Sequence, residues 1–369
     1  MYPRTKGSFR LPELESLGWN DRLSSQYEPY ADSGDDVVAG RVSIQHRGAY
    51  DVLTELGELR CEIPRRLIHE AATTADLPVV GDWVVVVPVP EGRTGTITAV
   101  LPRHTKFSRK VAWQAAEEQV LAANVDVAFL VTSLNEDLNL RRLERYLILA
   151  WESGARPVIV LTKADLHPAP DAAVAEVETI AGGVPVHAIS SLTGAGLEEV
   201  RALLGRGLTA VLLGSSGVGK STLVNTLAGE DLLATQEIRD DGKGRHTTTR
   251  RELVQLPSGG LVIDTPGIRE LQLWVADDGI AEAFDDVTAL FAHCRFSDCA
   301  HDSEPGCAVS AALEDGTLPA DRWDSYLKLE RELEHLDRKL DKRAAAEARK
   351  KWKAMGQEYR ASLRLKGKR

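Results

Sequence analysis

The sequence predicts a multi-domain protein: a small N-terminal β-barrel, a central α/β domain on a mostly parallel sheet, and a mainly helical C-terminal module. Three textures of the chain predict it. Residues 36–106 break into short β-branched strands separated by turn signals, and residues 107–275 alternate strand-length apolar runs with helical stretches. Beyond 275 the strands stop, and cysteines crowd together ahead of a charged helix.

Residues 1–35 are polar, contain Pro and Gly, show little periodicity, and read as a loose extension. The barrel follows as GRVSIQ, AYDVLTE, ELRCEI, DWVVVV and GTITAV, punctuated by Arg47-Gly48 and Gly81-Asp82. Five strands in so short a span suit an OB-type barrel, although an SH3-like barrel fits nearly as well. In the central domain, VDVAFLV, PVIVLT, LTAVLLG and GLVIDT are separated by helices such as LNLRRLERYLILAWESG. Apolar runs of that length suit parallel strands buried on both faces. In the module at 276–337 the Cys/His cluster is followed by a helix from about Asp321, which runs on into the tail with Leu327, Leu329, Leu333, Leu336 and Leu340 among charges.

Composition narrows the function classes. Of 369 residues, 43% are apolar and 27% charged, as in an ordinary globular protein. No apolar run reaches bilayer-spanning length, and the N-terminus lacks the apolar core of a signal peptide, so a cytoplasmic chain with no membrane partner is expected; a monomer is expected as well. The net charge of −10 conceals an asymmetry. The tail at 338–369 carries thirteen Lys/Arg against three Asp/Glu, a local +10, which leaves −20 on the rest. A basic end on an acidic body points to a polyanion contact. Arg103, His104, Lys106, Arg109 and Lys110 add a second cationic stretch, readable as an RNA contact or as a solvated linker.

The strongest motif is Gly214-Ser215-Ser216-Gly217-Val218-Gly219-Lys220-Ser221, between the strand LTAVLL and the helix STLVNTLAG. Its glycines let backbone N–H groups turn around phosphate oxygens, the helix N-terminus adds positive potential, and Lys220 reaches the β and γ phosphates. Ser221 offers its hydroxyl to Mg²⁺, and the nucleotide-binding set runs on to Thr222.

The choice of base rests on Thr162-Lys163-Ala164-Asp165 after the strand PVIVL. It resembles the guanine-reading Asn-Lys-x-Asp: an Asp accepts from N1–H and the 2-amino group, donors that adenine lacks, and Lys163 lays its stem over the base. A buried carboxylate left unpaired by the wrong base makes such a site selective. Ser190-Ser191, ahead of Leu192-Thr193-Gly194, resembles the second guanine loop. Downstream, Asp264-Thr265-Pro266-Gly267 reads as Asp-x-x-Gly, with Asp264 toward Mg²⁺ through water and the Gly267 N–H sensing the γ-phosphate. Between these motifs, Gly242-Lys243-Gly244-Arg245-His246-Thr247-Thr248-Thr249 has the texture of a switch loop. One of Thr247 and Thr248 is expected to contact the metal.

The guanine motifs precede the P-loop, the reverse of the ordinary order. A circular permutation permits this, since the ends of an α/β sheet lie close together. Ile268 stands where many GTPases carry a water-orienting Gln, so intrinsic hydrolysis is expected to be slow. His246 is a candidate to orient the water, or else it only structures the loop. With Lys220 and Gly267 it completes the catalytic candidates.

Cys294, Cys299, His301 and Cys307 fall within fourteen residues and supply three thiolates and one imidazole, the ligand set of a closed, structural Zn²⁺ site. Cys61, alone in a strand, reads as a small buried hydrophobe.

In combination and order, the barrel, TKAD, GSSGVGKS, GKGRHTTT, DTPG and the CxxxxCxHxxxxxC cluster resemble the ribosome small subunit-dependent GTPase A family, RsgA/YjeQ, over about residues 36–340. The resemblance implies an OB domain, a permuted GTPase domain and a zinc domain. It further implies action on the late-assembling 30S subunit and its 16S rRNA, with GTP and GDP bound in turn and hydrolysis stimulated by the subunit. Thr162 departs from the commoner Asn, which is expected to weaken a contact to the P-loop. The competing readings are an RNA-binding or a metallochaperone-like GTPase that does not act on the ribosome.

Overall fold

The computed structural model describes residues 13–32, 36–90, 92–110, 118–135, 137–230, 251–264, 283–302 and 304–331. Two compact units separate: Met1–Arg109 with Val120–Asp285, and Lys110–Gln119 with Asp286–Arg369.

In the first unit residues 13–32 form defined elements rather than a loose extension. A 3₁₀ turn at Leu14–Leu17 leads to helix α1 (Asp21–Ala31), capped by the Asn20 side chain, which accepts from the Leu23 N–H. Leu17 and Leu23 are fully buried. Two apolar anchors on a polar segment are too few to show periodicity, yet they dock it.

The barrel strands are β1 (Val38–Gln45), β2 (Tyr50–Thr54), β3 (Gly57–Glu62), β4 (Trp83–Pro88) and β5 (Thr94–Val100), with helix α2 (Arg65–Glu70) between β3 and β4. They pair in the order β1-β2-β3-β5-β4, and a β1–β4 ladder closes the ring. That order, with its one parallel pair β3–β5, is OB-like and decides against the SH3-like alternative. Val42, Val52, Cys61, Val84, Val86 and Ile97 fill the interior. Gly40 makes the closure possible, because a Cβ there would press on Val52 and Thr54. Burial pushes the Cys61 thiol up to about 12, consistent with an inert packing role.

After the two-stranded sheet of β6 (Lys106–Lys110) and β7 (Glu118–Ala123) comes the α/β core: β8 (Val127–Ser133), α3 (Leu140–Ser153), β9 (Arg156–Thr162), α4 (Pro170–Ala181), β10 (Val186–Ala188), α5 (Leu197–Ala202), β11 (Thr209–Leu213), α6 (Lys220–Ala228), β12 (Glu252–Gln255) and β13 (Leu261–Asp264). The sheet order is β10-β9-β8-β11-β13-β12, parallel except for β12–β13. All seven residues of β8 are buried, as a strand covered on both faces requires. A bulge at Val42/Ile44 bends β1 so that Ile44 also pairs with Glu252 of β12, joining barrel and core into one eleven-stranded sheet.

One buried arginine ties these parts together. Arg41 donates to the carbonyls of Leu17, Gly81 (3.3 Å) and Asn124 (3.0 Å), and its guanidinium lies 5.5 Å over the Trp83 ring. Burial lowers its pKa to about 10 against the pull of Asp126 and Asp82, so it stays charged near neutrality. Trp19 meets Trp83 edge-on at 4.9 Å.

Arg103, counted above among the cationic residues, is used internally. It grips the buried Asp82 through two 2.7 Å bonds and also donates to the Ala75 and Leu77 carbonyls. It therefore offers nothing to a polyanion.

The second unit contains α7 (Asp285–Phe291, all but its first residue), α8 (Ala308–Glu314) and a helical stretch at 320–331. Arg322, 4% exposed, holds Asp286 with both ends of its fork at 2.8 and 3.0 Å. Phe291, Trp323 and Tyr326 pack as an aromatic cluster, with Trp323 stacked on Tyr326 at 5.5 Å. No helix among the described residues is long and apolar enough to cross a membrane.

Candidate nucleotide site and metal cluster

The motifs meet at the carboxyl ends of the parallel strands, where open α/β sheets bind ligands. Gly214 leaves β11 so close to β8 that a Cβ on it would collide with the Val131 carbonyl. With φ of 80° and 94°, Gly217 and Gly219 supply the left-handed turns that lead into α6. Ser221 stands in the first turn of α6, and Asp264 ends β13, the strand next to β11. Ser221 and Asp264 thus both lie at the carboxyl end of the parallel strands and offer oxygen ligands, the kind that suits Mg²⁺. Ser216, Gly217 and Thr222 are exposed there, and Val218 is buried beneath them.

The P-loop is stapled from its neighbours. Thr162, at the end of β9 and 3% exposed, donates its hydroxyl to the Val218 carbonyl at 2.6 Å, with the Thr132 carbonyl at 3.3 Å. The contact expected to suffer from the missing Asn is thus present, because a short hydroxyl reaches the same loop. Lys163, at φ 58°, donates to the Gly217 carbonyl at 3.0 Å, which lays its stem across the mouth of the loop. Ser215 donates to Asp137, 3.0 and 2.8 Å from its two carboxylate oxygens. Lys220 donates to the Gly214 and Ser215 carbonyls at 2.8 and 2.5 Å. The sequence reading missed Asp137, since an acid before a helix reads as ordinary turn chemistry.

The second loop of the base region folds on itself. The Ser190 hydroxyl accepts from the Leu192 and Thr193 N–H groups at 3.2 and 3.1 Å, and the Ala164 N–H reaches the Ile189 carbonyl at 3.0 Å. Ser190 thus shapes the loop, and Ser191 beside it is half-buried. Asp165 is exposed, not buried as expected. Of the remaining candidates, His246, Thr247, Thr248 and Gly267, with Ile268 and the whole 242–249 loop, lie outside the described residues.

In the second unit, the ligand atoms of Cys294, Cys299, His301 and Cys307 lie within 4.8 Å of one another. Zinc bonds of about 2.3 Å to sulfur and 2.0–2.1 Å to nitrogen at tetrahedral angles set S and N about 3.5–3.6 Å apart. His301 Nδ1 lies 3.5 Å from Cys294 Sγ and 3.6 Å from Cys307 Sγ. The residues fit one such ion. The Ala308 and Ser310 N–H groups point at the Cys294 and Cys307 sulfurs at 3.4 and 3.5 Å, as donors to thiolates do. Desolvation and the neighbouring thiols push Cys299 up to about 11. Cys307 comes down to about 6: desolvation opposes this, and hydrogen bonds from Ser310, His301 and Cys299 outweigh it. Three sulfurs held this close cannot all ionise unless a cation shares them. Phe291 stacks on the His301 ring at 4.2 Å and fixes its orientation.

A core sheet in the strand order of a P-loop GTPase, reached by a chain that supplies the guanine loops before the P-loop, defines a circularly permuted GTPase. Comparison narrows the class. The RsgA GTPase family profile matches residues 100–274. A small ribosomal subunit biogenesis GTPase RsgA from Opitutus terrae is 48% identical, covering 96% of this chain and 99% of its own. The Streptomyces avermitilis protein of that name is 48% identical over 96% and 94%. Crystal structures of YjeQ from Thermotoga maritima (29% identity, TM-score 0.62, 80% and 98% of the two chains) and of YloQ, a circularly permuted GTPase (25%, 0.60, 81% and 96%), share the fold. The chain belongs to the RsgA GTPase family and is a GTP hydrolase.

Proposed function

We propose that this chain hydrolyses GTP while bound to the small ribosomal subunit during its late maturation, engaging the subunit in the GTP state. The observation that carries the reading is the near-full-length match to small-subunit biogenesis GTPases. In this reading the P-loop from Gly214 to Thr222 holds the phosphates, with Lys220 toward the β and γ groups. Lys163 and Asp165 read guanine, and the base itself covers the exposed Asp165. Ser190 and Ser191 support the base loop. Ser221 and Asp264, with Thr247 or Thr248, would hold Mg²⁺, whose charge offsets that of the phosphates when bound. His246 and Gly267 belong to the segments that respond to the γ-phosphate.

The Cys₃His cluster holds one structural zinc, because four protein ligands leave no position for exchange. That closure disfavours a metallochaperone. The barrel 36–106, the GTPase domain 107–275, the zinc module 276–337 and the basic tail 338–369 serve as functional parts. The barrel and tail face 16S rRNA in a protein acting as a cytoplasmic monomer. Co-sedimentation with 30S subunits tests the reading: binding with a non-hydrolysable GTP analogue and release with GDP support it, and equal or absent binding in both states overturns it.

A further inference from the structure

Among the described residues Thr162, Lys163 and Asp137 reach the P-loop from outside it, and the first two belong to the base-reading loop. The third, Asp137, lies in the turn between β8 and α3, which carries no recognised motif. Its carboxylate is aimed by several bonds. Arg142 pairs with it at 2.9 Å and also donates to the Asp137 carbonyl, and the Thr132 hydroxyl lies 3.3 Å from Oδ2. The Asp137 N–H is tied to Asn135 Oδ1 at 3.2 Å, and that oxygen accepts from the Ser133 hydroxyl at 2.7 Å. Asn139 then caps α3 by accepting from the Arg142 N–H at 3.0 Å. The turn therefore presents one carboxylate, in one orientation, to Ser215.

A carboxylate beside a phosphate-binding loop repels its ligand unless a cation offsets it. Arg142 supplies that cation, so the arrangement keeps the hydrogen bond to Ser215 and cancels most of the repulsion. We propose that Asp137, with Arg142 as its counter-ion, is a positioning residue for the P-loop. It fixes Ser215 so that the backbone N–H groups that follow are already turned toward the phosphates before nucleotide arrives. The inference rests on the reading that this loop takes the phosphates of GTP. Both GTP and GDP use that cradle, so loss of the staple weakens both.

The test is fluorescent GTP and GDP titration, steady-state hydrolysis and thermal melting of the full chain, with Asp137→Ala, Ser215→Ala, the double variant, Asp137→Asn, and Lys220→Ala as reference. Each single alanine is expected to weaken both nucleotides about 10- to 150-fold, as for a hydrogen bond to a charged group. The double variant should bind no worse than the weaker single one, since both remove one bond. Most of the loss should fall on KM rather than kcat, and Asp137→Asn, which keeps an acceptor, should recover most of it. Affinities unchanged in Asp137→Ala and Ser215→Ala, additive losses in the double variant, or melting lowered without loss of affinity would each overturn the proposal. If Asp137→Ala does not fold, Ser215→Ala tests the same bond from its other end. Normal binding by Lys220→Ala would instead overturn the nucleotide site itself. Loss there beside unchanged Asp137 variants would defeat this inference alone.

Discussion

Replacing Thr162 with Val removes one proton donor and almost no volume from a position 3% exposed. The hydroxyl makes the 2.6 Å bond to the Val218 carbonyl, the link between the end of β9 and the P-loop. Leaving a buried carbonyl without its donor costs about 1–3 kcal/mol. If the loop keeps its shape, the cost appears as lower stability of the free protein. If it relaxes, nucleotide must restore the shape, and GTP binds roughly 5- to 100-fold more weakly, at about 1.4 kcal/mol per tenfold. Melting without nucleotide and titration with fluorescent GTP measure the two shares, and Thr162→Ser should restore both. A Thr162→Val protein within twofold of wild type in affinity, with unchanged melting, would refute the role given to this bond.

Asp165→Asn should lower GTP affinity and favour xanthosine triphosphate, whose 2-oxo group needs a donor, and competition titration reads the switch. Metal analysis should give one zinc per chain. Cys299→Ser or chelation should unfold the second unit by far-ultraviolet dichroism while nucleotide titration stays near wild type. Arg41→Met orphans the buried Leu17 and Asn124 carbonyls, while Gly81 keeps the Asn124 side-chain amide at 3.1 Å, and should cost about 2–5 kcal/mol, a melting drop on the order of 5–15 °C for a unit of this size. Arg41→Lys should fall between.

The site was legible where its chemistry needs neighbours in sequence. Phosphate binding demands consecutive residues from Gly214 to Ser221, guanine reading needs Lys163 two residues before Asp165, and a metal knuckle gathers its cysteines locally. What stayed hidden depends on distant partners. The OB order is decided by the β3–β5 and β1–β4 ladders, which join strands separated in sequence, so five short strands left two barrel types open. Arg41 carries no signal in its strand and Arg103 reads as part of a cationic stretch, RNA contact or solvated linker, yet their acceptors come from segments up to 83 and 28 residues away. Asp137 escaped notice because Ser215 lies 78 residues downstream.

Single-turnover GTP hydrolysis with and without 30S subunits tests most directly whether this chain is switched on by the small ribosomal subunit. Ile268 stands where a water-orienting Gln is common, so the chain alone should turn over slowly. A catalytic group supplied or ordered by a partner is worth about 10³–10⁵ in rate. Stimulation on that order is expected, largely lost in His246→Ala if that histidine orients the water. Fast hydrolysis by the free chain, or a rate that 30S subunits leave unchanged, would contradict it.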